Sequence, residues 1–302
     1  MREFLDRWQV GFYLAAIVFG LLVTFPSLEW AVEPMLALLI FVTFMAVPLS
    51  QVSIPPKFLV TLLAVNFIAV PIVVWLITRP IADAPELLVP AALVLLAPCV
   101  DYVIVFCTLA GGAREKLLAA TPILLLVQML ALPVLVPLIS GGRVQLEIAP
   151  FLRAFLLLIV IPLILAAFLQ RKDKIASLAD DSMVPIMVIT LFVVVSAYSR
   201  GVTENLESLA RVILTYAAFV VVMLLVGLGS AWVAKLPYRE AIAVIFSGVT
   251  RNSLVVLPIA LVLPSAVIEP AVVVVTQTLV ELIAMVVMVK LVPKMVQKIA
   301  ID

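Results

Sequence analysis

The chain has 302 residues, 66% of them hydrophobic, and a mean hydropathy of +1.34, far above the near-half apolar content of soluble domains. Its net charge of +1 argues against nucleic acid as a partner, and the absence of histidine excludes His-based acid–base catalysis and His metal sites. No polar stretch is long enough for a soluble domain, so the expected class is an all-α polytopic protein surrounded by membrane lipids, with no cofactor.

Apolar runs of about 17–25 residues read as spans. Ten are expected, near 9–27, 31–50, 57–78, 86–110, 116–140, 150–170, 183–199, 208–233, 238–263 and 267–292. The first follows Arg2, Asp6 and Arg7 and lacks a small-residue cleavage site, so no signal peptide is expected. With the N-terminus cytoplasmic, inside segments hold 13 Lys and Arg residues and outside loops hold 5. That asymmetry places both termini on the cytoplasmic side of a cell membrane. Trp8, Trp30, Trp75 and Trp232 fall near span ends, as interfacial anchors do.

Two spans carry polar interruptions. In the fourth, Pro98-Cys99-Val100-Asp101 interrupts an apolar run; proline removes a backbone donor and breaks or kinks a helix. In the ninth, Ser247-Gly248-Val249-Thr250-Arg251-Asn252-Ser253 does the same. Broken helices at corresponding positions of two halves point to a secondary transporter with its site near the membrane midplane. Dividing the chain into 1–145 and 146–302 leaves five spans per half, and an odd number makes the repeats inverted. An offset of 153 residues lays Cys99 on Asn252 and Gln128 on Glu281. The bland alternative is a proline kink at Pro98 and a glycine kink at Gly248.

Of 37 charged residues, only Asp101, Arg251 and Glu281 resist a loop or interface position, and intramembrane charges are functional candidates. Asp101 and Arg251 form either a structural ion pair or one whose partner is exchanged for a proton or substrate. Glu281 has no cationic neighbour within two helical turns. It suits proton coupling, neutral facing one side and ionised facing the other; the alternatives are a carboxyl bonded to Gln128 or an ion pair with Arg251. Cys99 is either inert packing or a soft ligand for a soft substrate, and Cys107 is assigned to packing. Asn66, Gln128, Thr250 and Ser253 complete the polar set, and any of them can serve simply to bond a neighbouring helix. Asp180-Asp181 lacks the second acidic motif of metal-dependent prenyl transfer, so an intramembrane enzyme is only a remote alternative.

Leu96-Ala97-Pro98-Cys99-Val100, followed by Thr108-Leu-Ala-Gly-Gly-Ala-Arg114-Glu115, resembles span four of Acr3-type arsenite efflux permeases. Leu279-Val-Glu281-Leu is similar to their last span, and Asn66 with Pro71 to their third. Phe4-Leu-Asp6-Arg7-Trp8 and the Arg251-Asn252-Ser253 break resemble the wider bile acid:sodium symporter superfamily. The resemblance implies ten helices in a core and a panel domain, with helices four and nine crossing. It also implies that Cys99 serves arsenite transport and Glu281 proton coupling. The chain departs from those permeases at Pro98, Asp101, Cys107-Thr108 and Arg251, where they carry a basic residue, an apolar or small one, Asn-Asp and Asn. Sodium-coupled relatives have an acidic residue at Ser247 and Gln at Arg251, and a fixed guanidinium there should repel sodium. The leading expectation is arsenite or antimonite efflux by proton antiport, with Cys99, Asp101, Arg251, Asn252 and Ser253 binding substrate and Glu281 and Asp101 coupling. The alternative is an organic-anion symporter anchored by Arg251.

Overall fold

The computed structural model describes residues 2–45, 53–100, 102–142, 149, 152–153, 156–170, 172–261, 263 and 268–298. Among these residues the regular elements are helical, and the one extended pairing is an isolated bridge between Pro98 and Arg251. The helices are α1 (Arg2–Leu22), α2 (Glu29–Met45), α3 (Pro56–Ala64), α4 (Val70–Ile77), α5 (Pro85–Leu95), α6 (Tyr102–Leu109) and α7 (Arg114–Ser140). Then come α8 (Ile161–Leu169), α9 (Asp173–Glu204), α10 (Leu206–Val233), α11 (Tyr238–Val249), α12 (Ser253–Ala260) and α13 (Pro270–Val296).

Proline writes much of this pattern. A π turn, Val65–Ala69, joins α3 to α4, and another, Leu156–Val160, leads into α8. Pro71 and Pro162 follow them closely, and the carbonyl four residues before each lies within the turn. A proline ring clashes with that carbonyl and gives it no N–H, and widening the turn relieves both problems. At the end of α7, Gly141 takes a left-handed conformation (φ +67°) that closes the helix.

Among the described residues, six stretches are long and apolar enough to cross a membrane: Pro26–Met45, Pro56–Ile77, Arg114–Ser140, Asp181–Glu204, Leu206–Val233 and Pro270–Val296. α5 and α6, with 11 and 8 residues, are each too short to span alone, as are α11 and α12 with 12 and 8. The outer surface is apolar: Phe19, Leu130, Phe168 and Leu214 are all more than 60% exposed. Such a surface suits hydrocarbon and not water. The protein is a multi-pass, all-α membrane protein.

Two packing groups position the site. α9 lies along α1 and α2, and α8 packs on α2. α13 runs through the other group against α5, α10, α11 and α12, and also touches α9. Glycines set the close approaches. A Cβ on Gly227 of α10 would lie 3.1 Å from Ile245 Cα of α11, and one on Gly201 of α9 would strike Val272 of α13. Lys116 and Glu240 tie α7 to α11 by an ion pair of 2.6 Å, and Arg211 of α10 bonds Asp83 ahead of α5.

Candidate functional site at the crossing of two broken helices

α5 ends at Leu95, three residues short of Pro98, and α6 resumes at Tyr102. α11 runs through Gly248 and stops at Val249, after which Thr250 turns extended with ψ 138°. Gly248 is therefore not a kink. It is a contact point, where a Cβ would come 2.8 Å from Val65 in the π turn. The two breaks run antiparallel and satisfy each other: the Cys99 amide donates to the Thr250 carbonyl at 3.3 Å, and the Asn252 amide donates to the Ala97 carbonyl at 2.8 Å. The 153-residue offset carries either bond onto the other, since it takes Cys99 to Asn252 and Ala97 to Thr250. Backbone groups that hydrocarbon cannot satisfy are thereby paired inside the protein.

Arg251 stands at this crossing, fully buried. Its guanidinium folds back onto the last turn of α11 and donates to the carbonyls of Ser247 and Gly248, the latter at 2.8 Å. It also donates to Asn66 Oδ1 at 2.9 Å and to the Leu95 carbonyl at 3.4 Å, and it lies 5.5 Å above the centre of the Phe219 ring. The last carbonyls of α5 and α11 are the negative ends of two helix dipoles. One cation therefore closes both. Asn66 is aimed by its own π turn, donating to Leu62 O at 2.9 Å and to Ser247 Oγ at 3.1 Å.

Glu281 approaches from α13, also fully buried. It does not pair with the guanidinium. Its Oε2 accepts the Arg251 backbone amide at 2.7 Å and the Gln277 side-chain amide, and its Oε1 lies 2.8 Å from the Tyr102 hydroxyl. Tyr102 Oη is in turn 3.1 Å from the Arg251 carbonyl. When ionised, this carboxyl has three donors to set against the cost of its burial.

Of the other residues singled out by sequence, Asn252 caps α12 by accepting the Val255 amide at 3.0 Å, and Ser253 bonds Thr278 of α13 at 2.7 Å. Thr250 bonds back to Phe246 O through its hydroxyl. Cys99 is buried within the crossing strand, and Cys107 is buried against Gly112. Gln128 is buried in α7, but its amide atoms have no hydrogen-bond partner among the described residues, and it does not bond Glu281. Asp101 lies outside the described residues. Three further buried polar atoms lack a partner among the described residues: Arg251 Nε, Asn252 Nδ2 and Gln277 Oε1.

Sequence reasoning missed Tyr102, Gln277, Thr278 and Phe219. Gln277 was legible: it sits four residues before Glu281, the spacing at which helical side chains meet. Tyr102 and Phe219 reach the site through the tertiary fold alone.

The model of the SBF-like CPA transporter family matches residues 49–297. No curated protein matches the chain.

Proposed function

The chain belongs to the SBF-like CPA transporter family, and from that membership we propose that it exports arsenite or antimonite in exchange for protons. Secondary transport is the activity of the family; the substrate and the coupling ion are our reading. One observation carries the coupling: Glu281, fully buried, accepts the Arg251 backbone amide at the point where the two broken helices cross. A carboxyl there is neutral or ionised at the pivot itself, so proton occupancy acts on the element that moves. The guanidinium resting on the ends of α5 and α11 argues against sodium, because it already supplies a positive charge to those oxygens.

Cys99 supports the metalloid. Arsenous acid is neutral near pH 7 and thiophilic, and one thiol selects it without the trapping that three would cause. We propose ten spans arranged as two inverted repeats, residues 1–145 and 146–302. The group around α9 acts as panel and the group around α13 as core in alternating access. The interchange of the two crossing bonds under one offset supports that symmetry. Cytoplasmic termini and a place in the cell membrane belong to the same reading, on the loop charges.

A second reading is favoured by Arg251 Nε and Asn252 Nδ2, donors with no partner among the described residues, which suit a carboxylate and hence a proton-coupled organic-anion symporter. Arsenite uptake into everted vesicles, with and without an imposed pH gradient, separates the two. The expected result is uptake that follows the gradient and vanishes in Glu281→Gln. Folded protein that takes up no arsenite, but loses small-carboxylate uptake in Arg251→Gln, overturns the metalloid reading.

A further inference from the structure

We propose that Tyr102 is the positioning residue through which the Arg251 peptide reads the protonation state of Glu281. This rests on the reading of Glu281 as the coupling carboxyl. Glu281 receives the Arg251 amide, the Gln277 amide and the Tyr102 hydroxyl. The Tyr102 oxygen stands between Glu281 Oε1 at 2.8 Å and the Arg251 carbonyl at 3.1 Å. One hydroxyl proton serves one of these two acceptors at a time.

Among the described residues, the Arg251 carbonyl has few other claims on it. Its helical partner four residues on is the Val255 amide, and that amide is taken by the Asn252 side chain. With Glu281 ionised, the Tyr102 proton points to Oε1 and the Arg251 carbonyl loses its donor. When Glu281 takes up one proton on Oε1, the carboxyl donates to the Tyr102 oxygen, and the hydroxyl turns its own proton to the Arg251 carbonyl. No covalent bond of tyrosine breaks. Glu281 Oε2 keeps both of its donors throughout. Protonation thus holds the Arg251 backbone on both sides, by N–H and by C=O, whereas ionisation holds it by N–H alone. That residue joins the Ala97 and Thr250 contacts to the cap of α12, so the crossing is clamped in one state and half-released in the other.

The groups facing Glu281 keep the switch simple. Among the described residues, the titratable side chains that act on it are Tyr102 of α6 and Arg251 of the second break. Gln277, on its own helix, carries no charge. The Tyr102 ring packs edge-on against Phe106 with centroids 6.4 Å apart, a contact that a phenylalanine at position 102 keeps.

The test is difference infrared spectroscopy of the purified full-length protein across a pH titration, which needs no knowledge of the substrate. Wild type should show a protonated-carboxyl band that Glu281→Gln removes. In Tyr102→Phe that band should persist at a higher frequency, having lost its acceptor, and its midpoint pH should shift. A band unmoved by Tyr102→Phe overturns the inference while leaving Glu281 as the coupling carboxyl. The absence of any band removed by Glu281→Gln overturns the coupling reading itself. If Tyr102→Phe does not fold, wild type with isotopically labelled tyrosine decides. With 5 tyrosines in the chain, a ring C–O band that shifts at the midpoint of the carboxyl band supports the switch, and a tyrosine spectrum unchanged across that midpoint overturns it.

Discussion

Glu281 holds Arg251 by its backbone amide, at 2.7 Å, while the Arg251 side chain turns away to Asn66 and the ends of α5 and α11. Two opposite charges meet at one residue without forming an ion pair. The arrangement separates their tasks: the guanidinium closes helix ends, and the carboxyl fixes the peptide between α11 and α12. A direct pair would neutralise both charges and couple every proton event to the loss of a structural cation.

Replacing Glu281 with Gln keeps an oxygen for the Arg251 amide and removes the titrating proton. The protein should therefore remain folded, with transport lost or uncoupled from the pH gradient. Substrate exchange without net proton flux, measured in counterflow, is the expected remnant. Full gradient-driven uptake by Glu281→Gln would place coupling elsewhere.

Arg251 presents a different balance. Truncation to Ala strips donors from Asn66 and from three carbonyls in a dry site, a loss on the order of 3 kcal/mol or more. A melting temperature well below wild type is expected. Wild-type transport should be indifferent to replacing sodium by choline at constant ionic strength, because the fixed cation stands on the helix-end oxygens. A sodium-dependent rate in wild type would contradict the role assigned to the guanidinium.

Much of this site was legible in the sequence, for physical reasons. Pro98 and the polar run around Arg251 cannot continue a helix in hydrocarbon, so both breaks, and Arg251, Asn252 and Glu281 with them, stood out by their cost. The partners of these residues did not. The sequence left open an Arg251–Glu281 ion pair and a Gln128–Glu281 bond, and neither forms, because helix rotation directs the Glu281 carboxyl to a backbone amide and to Tyr102. A tyrosine beside a break carries no spacing signal. Gly248 likewise read as a kink in the bland alternative, and only the packing against Val65 reveals it as a point of close approach.

Cys99 holds the crossing in part through its backbone, the amide donating to Thr250 O at 3.3 Å. Serine keeps that bond and nearly the same volume. Cys99→Ser should therefore melt close to wild type and yet fail to transport arsenite in vesicles, whereas Cys107→Ser should transport normally. Unchanged arsenite transport in Cys99→Ser would remove the thiol from substrate selection and favour an anionic substrate.

Gly201 offers a test of the boundary between the two packing groups. It faces Val272, whose remaining side-chain atoms lie 3.6 Å from a Cβ built on the glycine, while Cγ2 would be struck outright. Gly201→Ala must push α9 from α13 or turn the valine, and overpacking of this kind costs about 1–3 kcal/mol. Removing the obstructing methyls with Val272→Ala should restore what the alanine disturbed, so the double variant should be more stable than the sum of the single effects. If panel and core slide along this contact during alternating access, Gly201→Ala slows transport beyond its effect on folding, and the double variant recovers the rate. Stability and rate that recover separately would mean the α9–α13 contact stays closed through the cycle and the moving boundary lies elsewhere.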